Sequence, residues 1–74
     1  MITIHTKTTY ITLQQALKLS GMIDSGGSAK VILQDNKVFV NGIHEQRRGR
    51  KLYPGDLISV FNQTILIAES EHED

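Results

Sequence analysis

The chain contains no cysteine, which excludes disulfide bonds, thiolate metal ligands and thiol chemistry. It also has no apolar run near the roughly 20 residues that a membrane-spanning helix requires. Its first seven residues, MITIHTK, lack the long apolar core of a signal peptide. We therefore expect a soluble, cytoplasmic protein that does not bind a membrane. The 74 residues have room for one small domain with one modest core.

A surplus of either charge is also missing, because eight Lys and Arg residues balance eight Asp and Glu residues. The two signs are unevenly distributed along the chain. Four of the acids lie in the last six residues, so residues 1–68 hold eight cations against four acids and carry a net charge of +4. We predict a single basic domain over residues 1–68 and a frayed acidic tail over residues 69–74.

Two short helices are predicted in the first half of the chain. Thr12 and Gln15 form a capping-box pattern ahead of an apolar helical stripe, and Gly21 is placed to end this helix. A second start signal lies in residues 24–28, and the apolar face that follows ends near Asp35. Helices this short are marginal alone, so they need a sheet to pack on.

The other segments alternate apolar and polar residues, which is typical of half-buried strands. Asn41-Gly42 is a strong hairpin signal, and Pro54-Gly55 fits the centre of a type II turn. We predict strands over residues 2–6, 38–40, 43–45, 57–61 and 64–68, the last two joined at Asn62-Gln63. The fold class is therefore α+β, with two short helices packed on a small antiparallel sheet of about four to five strands.

The sequence offers no positive case for an enzyme. His5, His44 and His72 are far apart and lack the ligand spacing of a zinc site. Ser25 and Ser28 have no accompanying His–acid pattern, so helix capping explains them better than nucleophilic catalysis. We expect no catalytic residue, no metal and no cofactor.

Residues 47–51, RRGRK, place four of the eight cations in five positions, and we call this segment the basic connection. Such a cluster favours a polyanion, most often nucleic acid. Arginine suits phosphate because its planar fork donates two parallel hydrogen bonds. The alternative is that these charges only protect a sheet edge from aggregation.

The segment 25–30, SGGSAK, predicts a second place where an anion could bind. Two glycines at a helix start leave backbone N–H groups uncovered, and the helix dipole favours a negative charge there. Lys30 lies about one turn along the helix and adds a cation. The spacing of a nucleotide-binding loop is missing, and a plain helix cap explains the segment equally well.

Two motifs behind these helices resemble a known family. V-F-V-N-G at residues 38–42 and P-G-D-L-I-S-V at residues 54–60 resemble the alpha-L RNA-binding motif, the small domain named after ribosomal protein S-four. The likeness covers residues 12–60 and includes the first helix and the 25–30 segment. Residues 21–30 and 47–52 look, more narrowly, like the YaaA/YbcJ-like subfamily of stand-alone bacterial proteins. Many members carry Arg or Glu where this chain has Gly26-Gly27, so side-chain contacts from those two positions do not carry over.

The resemblance implies two helices on a small antiparallel sheet and a non-catalytic module that binds structured RNA through helix faces and loops. We expect contacts to phosphates and to RNA shape, since duplex RNA hides its base edges in a deep groove. The expected partner is ribosomal RNA or a ribosomal particle, with no small-molecule substrate, and a monomer is favoured. Candidate RNA-binding residues are Arg47, Arg48, Arg50, Lys51, Lys30, Ser25, Gly26, Gly27, Ser28, Lys18 and Lys37.

Two other functions stay open at this point. A protein-interaction module could use an edge strand or an apolar surface around Phe39 and Phe61, although Phe39 could instead stack on a base. Ubiquitin-like sulfur carriers share the V-N-G and G-D motifs, but they need a C-terminal Gly-Gly, and this chain ends in Glu71-His72-Glu73-Asp74.

Overall fold

The computed structural model describes residues 1–23, 26–35 and 38–70. It confirms an α+β fold of two helices with a five-stranded sheet and a separate two-stranded sheet. The proposed helix caps at residues 24–25 lie outside the described residues, as do the acids of residues 71–74. The elements in chain order are β1 (Ile2–Thr6), β2 (Ile11–Thr12), α1 (Leu13–Leu19), α2 (Gly26–Asp35), β3 (Phe39–Val40), β4 (Ile43–His44), β5 (Lys51–Leu52), β6 (Leu57–Val60) and β7 (Gln63–Glu69).

The larger sheet has the strand order β1-β7-β6-β3-β4. Its pairs are antiparallel except β1 and β7, which run parallel with Ile2 opposite Ile65. The sheet is therefore mixed, where the sequence predicted an antiparallel one. A parallel pair needs a long crossover connection, and nearly the whole chain separates β1 from β7. The amide of Ser70 extends this edge by donating to the Thr6 carbonyl at 3.0 Å, so β7 runs past the proposed tail boundary at residue 69.

One face of the sheet and the inner faces of both helices form a single core. The predicted inward residues of α1 are fully buried, and the strands supply their alternate positions as expected. These side chains hold the two helices on the sheet through apolar burial. The buried members are Ile4, Ile11, Leu13, Ala16, Leu17, Ile23, Ala29, Leu33, Val38, Val40, Leu52, Ile58, Val60, Ile65 and Ile67.

Both ends of α1 are capped as the sequence predicts. The Thr12 hydroxyl accepts from the Gln15 amide at 3.2 Å, and the Gln15 side chain accepts from the Thr12 amide at 2.9 Å. Gly21 follows the helix in the left-handed region with φ 83°, and the Met22 amide donates to the Leu17 carbonyl. Local sequence is therefore enough to define this helix.

A second tight hairpin, between β6 and β7, turns at Phe61 and Asn62 rather than at Asn62-Gln63 as predicted. Both residues take positive φ, 51° and 62°, as the two centres of a type I′ turn must. Asn tolerates this region well, whereas an aromatic residue rarely adopts it. Phe61 is nevertheless about half exposed, at 49%. Its backbone strain is not offset by burial.

We predict that Phe61→Asn raises the free energy of unfolding by about 0.5–1 kcal/mol, because it relieves left-handed strain and gives up little burial. Denaturant unfolding of the two proteins measures the change. Asn62→Ala, at the neighbouring left-handed position, should shift stability in the opposite direction. Equal or lower stability of Phe61→Asn would mean that the ring contributes more packing than its exposure indicates.

Candidate functional site

The basic connection joins β4 to β5 and is organised by a carboxylate that precedes it. Glu45 is buried, with only 7% of its side chain exposed, although the described residues around it belong to a polar surface loop. Its amide donates to the Val38 carbonyl at 2.8 Å, which fixes its backbone to the end of β3. Glu45 is therefore held by the sheet and points into the connection that follows.

The Glu45 carboxylate binds two of the predicted cations. Arg47 donates through Nε and Nη2 at 3.0 and 3.1 Å, in the two-pronged geometry that suits a guanidinium and a carboxylate. Arg50 donates through Nη1 at 2.8 Å. The amides of Gln46 and Arg47 each donate to Oε2 at 3.1 Å. These five hydrogen bonds all end on the Glu45 carboxylate, so the residues of the basic connection are ordered by one acid.

The same contacts explain the acidity of Glu45. The hydrogen bonds from Arg47 lower its pKa most, burial opposes them, and Arg50 lowers it further, so that the pKa falls from 4.5 to about 2. The carboxylate in turn raises the pKa of Arg47. Glu45 is thus ionised and Arg47 charged throughout the physiological range.

The backbone of the basic connection also caps α1. The Leu13 amide donates to the Arg50 carbonyl at 2.8 Å, and the Gln14 amide donates to the Arg48 carbonyl at 3.0 Å. These are among the amides that a helix leaves without an internal partner. The arginine loop therefore lies against the N-terminus of α1 by its backbone. Two otherwise free amides of α1 are satisfied in this way, and the cationic loop is fixed beside the helix.

The fourth predicted cation, Lys51, lies in β5 opposite Thr12 of β2. Its ammonium group is 4.9 Å from the centre of the Tyr10 ring, within the range of a cation–π contact. The Tyr10 and Tyr53 rings are 6.0 Å apart and tilted by 53°. Tyr10 thus connects the basic connection to the segment that follows β1. No sequence pattern around Tyr10 indicates this contact.

The other predicted RNA-binding residues that the structure describes lie on the two helices. Lys18 is exposed in the last turn of α1, and Lys30 is exposed on α2. The backbone of Gly26, Gly27 and Ser28 forms the first turn of α2, consistent with the predicted helix start. Ser25 and Lys37 lie outside the described residues. Among the predicted cations that the structure describes, Arg47 and Arg50 share one partner, Glu45, while Lys51 contacts Tyr10.

The structure describes no group of three or more His, Asp or Glu side chains placed to hold a metal ion. His5 lies on the edge strand β1, and His44 lies on the opposite edge strand β4, where its ring is 5.5 Å from that of Phe39. Phe39 is half-buried, while Val38 and Val40 beside it point into the core as predicted. Within the described ranges, no helix is both long and apolar enough to cross a membrane.

The signal that could have identified Glu45 is its position. It is the single acid in the stretch from 36 to 55, two residues before Arg47 and five before Arg50. An isolated acid beside an arginine run is more often an exposed partner than a buried one. The burial of Glu45 depends on how the connection packs against the rest of the fold, including α1, and the hairpin signal at Asn41-Gly42 does not specify that packing.

Comparison with known families decides the classification. The model of the S4 domain family matches residues 3–68, which is most of the chain. The chain belongs to the S4 domain family. The resemblance inferred from the V-N-G and P-G-D motifs is therefore confirmed, and the match also includes β1 and β7 on either side of the motif core.

A curated relative supports the same classification. The chain is 51% identical over 53 residues to a protein of Bacillus subtilis (strain 168) named "Probable ribosome maturation protein RlbA". The aligned region covers 72% of this chain and 75% of the relative. No solved structure gives a significant match.

The two family motifs meet in this S4 domain. The Asn41 side chain donates to Asp56 Oδ1 at 3.0 Å and accepts from the Leu57 amide at 3.0 Å. Asn41 and Gly42 both have positive φ, 52° and 83°, as the hairpin requires. Asp56 also closes the Pro54-Gly55 turn by accepting from the Tyr53 amide at 2.8 Å. The two motifs thus form turns that are joined to each other by hydrogen bonds.

Proposed function

We propose that this S4 domain is a non-catalytic RNA-binding module that recognises structured RNA, most directly ribosomal RNA, in the cytoplasm. The observation that carries the proposal is the basic connection, in which four cations lie on a loop held by Glu45 and by the N-terminus of α1. The relative named as a ribosome maturation protein supports a ribosomal particle as the partner.

The arrangement of the four cations favours recognition by phosphate spacing rather than by base sequence. Arg47 and Arg50 are oriented by Glu45, and Arg47 remains 76% exposed while it does so. A guanidinium that is already ordered loses less conformational entropy when it binds phosphate. Arg48 and Lys51 are exposed on the same loop. Duplex RNA presents regularly spaced phosphates and 2′-hydroxyls to such a surface.

Titration of RNA binding against salt concentration tests this proposal. If about four cations replace counterions on phosphates, log affinity for a short RNA hairpin should fall against log salt with a slope of about −3 to −4. The slope is measured by fluorescence anisotropy with the intact chain. A salt-independent association, or none at all, would contradict the proposal.

A non-nucleic polyanion separates shape recognition from simple charge attraction. Polyglutamate of matched charge should bind more weakly than the RNA hairpin at every salt concentration, because it lacks the phosphate spacing and 2′-hydroxyls of RNA. Equal binding of both polymers would argue against recognition of RNA shape. Binding of neither would leave the protein-interaction module as the better function.

A further inference from the structure

A groove with no assigned role lies between the connection that follows β1 and the exposed face of α1. The connection supplies Lys7, Thr8 and Thr9, and the helix supplies Gln15 and Lys18. None of the described residues that line the groove is acidic. Its two ammonium groups are therefore not neutralised by a carboxylate in the wall, and its hydroxyl and amide groups can hydrogen-bond to phosphate or sugar.

The wall formed by the connection is braced by its own hydrogen bonds. The Thr8 amide donates to the Thr6 hydroxyl at 3.2 Å, and the two hydroxyls are 3.0 Å apart. The Thr8 hydroxyl also donates to the Tyr10 carbonyl. Thr6 is buried, so the base of the connection is fixed to the body of the domain. The groove is thus formed before a ligand arrives, which lowers the entropic cost of binding.

Tyr10 makes the groove continuous with the basic connection. It lines the groove and also lies under the Lys51 ammonium group at 4.9 Å. A polyanion that extends from residues 47–51 past Tyr10 therefore enters a groove whose described lining includes Lys7 and Lys18 and no acid. The opposite wall is the seven-residue helix α1, which is about 10 Å long. A wall of that length can contact a few nucleotides of one strand.

We propose that this groove binds an unpaired RNA strand that continues from the structured region held by the basic connection. The inference rests on the proposed RNA-binding function and extends it to the single-stranded segment of the ligand. Lys7 and Lys18 contact its phosphates, and the exposed Thr9 hydroxyl and the Gln15 side-chain NH₂ donate to phosphate or 2′-hydroxyl oxygens. Positively charged grooves that follow the backbone are the usual means of holding single strands.

The test compares two RNA hairpins, one blunt-ended and one carrying about six unpaired uridines, a length within the range of single-strand sites. The overhang should increase the affinity of the intact chain by about tenfold at physiological salt, as two added phosphate contacts predict. Thr9→Glu, which places a negative charge in the groove wall, should abolish that gain and leave the affinity for the blunt hairpin nearly unchanged. Lys7→Ala, which removes a cation from the same wall, should act in the same direction.

Gln63→Glu is the matched control, because it adds the same charge at an exposed position six residues before Glu69 on β7. Six strand residues correspond to about 20 Å, so this charge is remote from the groove end of β7. Overhang RNA binding that falls equally in Thr9→Glu and Gln63→Glu would overturn the groove assignment, as would an overhang that adds no affinity. In both cases binding of the blunt hairpin would still support the proposed function. Failure of the intact chain to bind either hairpin would instead remove the proposed function itself.

Discussion

Glu45→Gln is expected to lower the free energy of unfolding by about 2 kcal/mol, a large loss for so small a domain. Glutamine keeps the shape of the side chain but has one carbonyl oxygen where Glu45 uses two carboxylate oxygens to accept five hydrogen bonds. It also removes the negative charge that holds Arg47 and Arg50. The magnitude is moderated because Arg47 is largely exposed and its attraction is screened by water.

The same residue predicts a specific dependence of stability on pH. Since folding lowers the pKa of Glu45 from 4.5 to about 2, its contribution is fully present above pH 4.5 and is lost as the pH falls towards 2. The melting temperature of the native chain should therefore exceed that of Glu45→Gln at pH 7. This difference should shrink as the pH falls from 4.5 towards 2. Chemical denaturation at pH 7 gives the magnitude of the difference.

Glu69→Gln is the control for this prediction, because it removes the same formal charge from an exposed position at the end of β7. It should change stability by less than about 0.5 kcal/mol, as exposed substitutions usually do. A Glu45→Gln protein as stable as the native chain at pH 7 would mean that the ion pairs of Glu45 with Arg47 and Arg50 do not anchor the loop.

Arg48→Ala combined with Lys51→Ala is expected to weaken binding to an RNA hairpin by roughly 10- to 30-fold at physiological salt and to reduce the salt slope by about 2. Both side chains are exposed. The double variant removes two cations and keeps Arg47 and Arg50, the two arginines that form ion pairs with Glu45. Alanine at Arg47 and Arg50 would be less informative, since it leaves a buried carboxylate without its charged partners.

Ser59→Glu with Gln63→Glu supplies the matched comparison, because it changes the net charge by the same two units at exposed positions of β6 and β7. RNA affinity should fall much less in this variant, because charges away from the binding surface act only through the screened long-range field. Circular dichroism of both variants checks that they remain folded. Equal losses of affinity in the two double variants would show that net charge, and not the basic connection, controls binding.

The ends of α1 and the hairpin at Asn41-Gly42 could be predicted from the sequence, because each depends on residues close together in the chain. Thr12, Gln15 and Gly21 determine both ends of α1 by side-chain capping and left-handed backbone. Asn41-Gly42 determines a two-residue hairpin in the same way. The V-N-G and P-G-D motifs were sufficient to indicate the family for the same reason.

The turn between β6 and β7 shows where alternation stops being informative. In the structure Ile58 pairs with Ile65. A register in which Ile58 pairs two residues further along β7 would also keep apolar side chains on the inner face. The hydrophobic pattern therefore cannot distinguish a turn at Phe61-Asn62 from one at Asn62-Gln63. Pairing of β7 with β1 adds a constraint that comes from the other end of the chain.

From its sequence alone, this protein is a small α+β domain of a recognisable family, with no cysteine and with half of its cations in one short connection. Tertiary structure decided how two of those cations are held, since Glu45 is buried in the folded chain and binds Arg47 and Arg50. It also placed the loop against α1 and formed the groove beside Tyr10. The physical reason is that burial and charge pairing depend on residues brought together by long-range strand pairing, whereas caps and turns depend on neighbours in sequence.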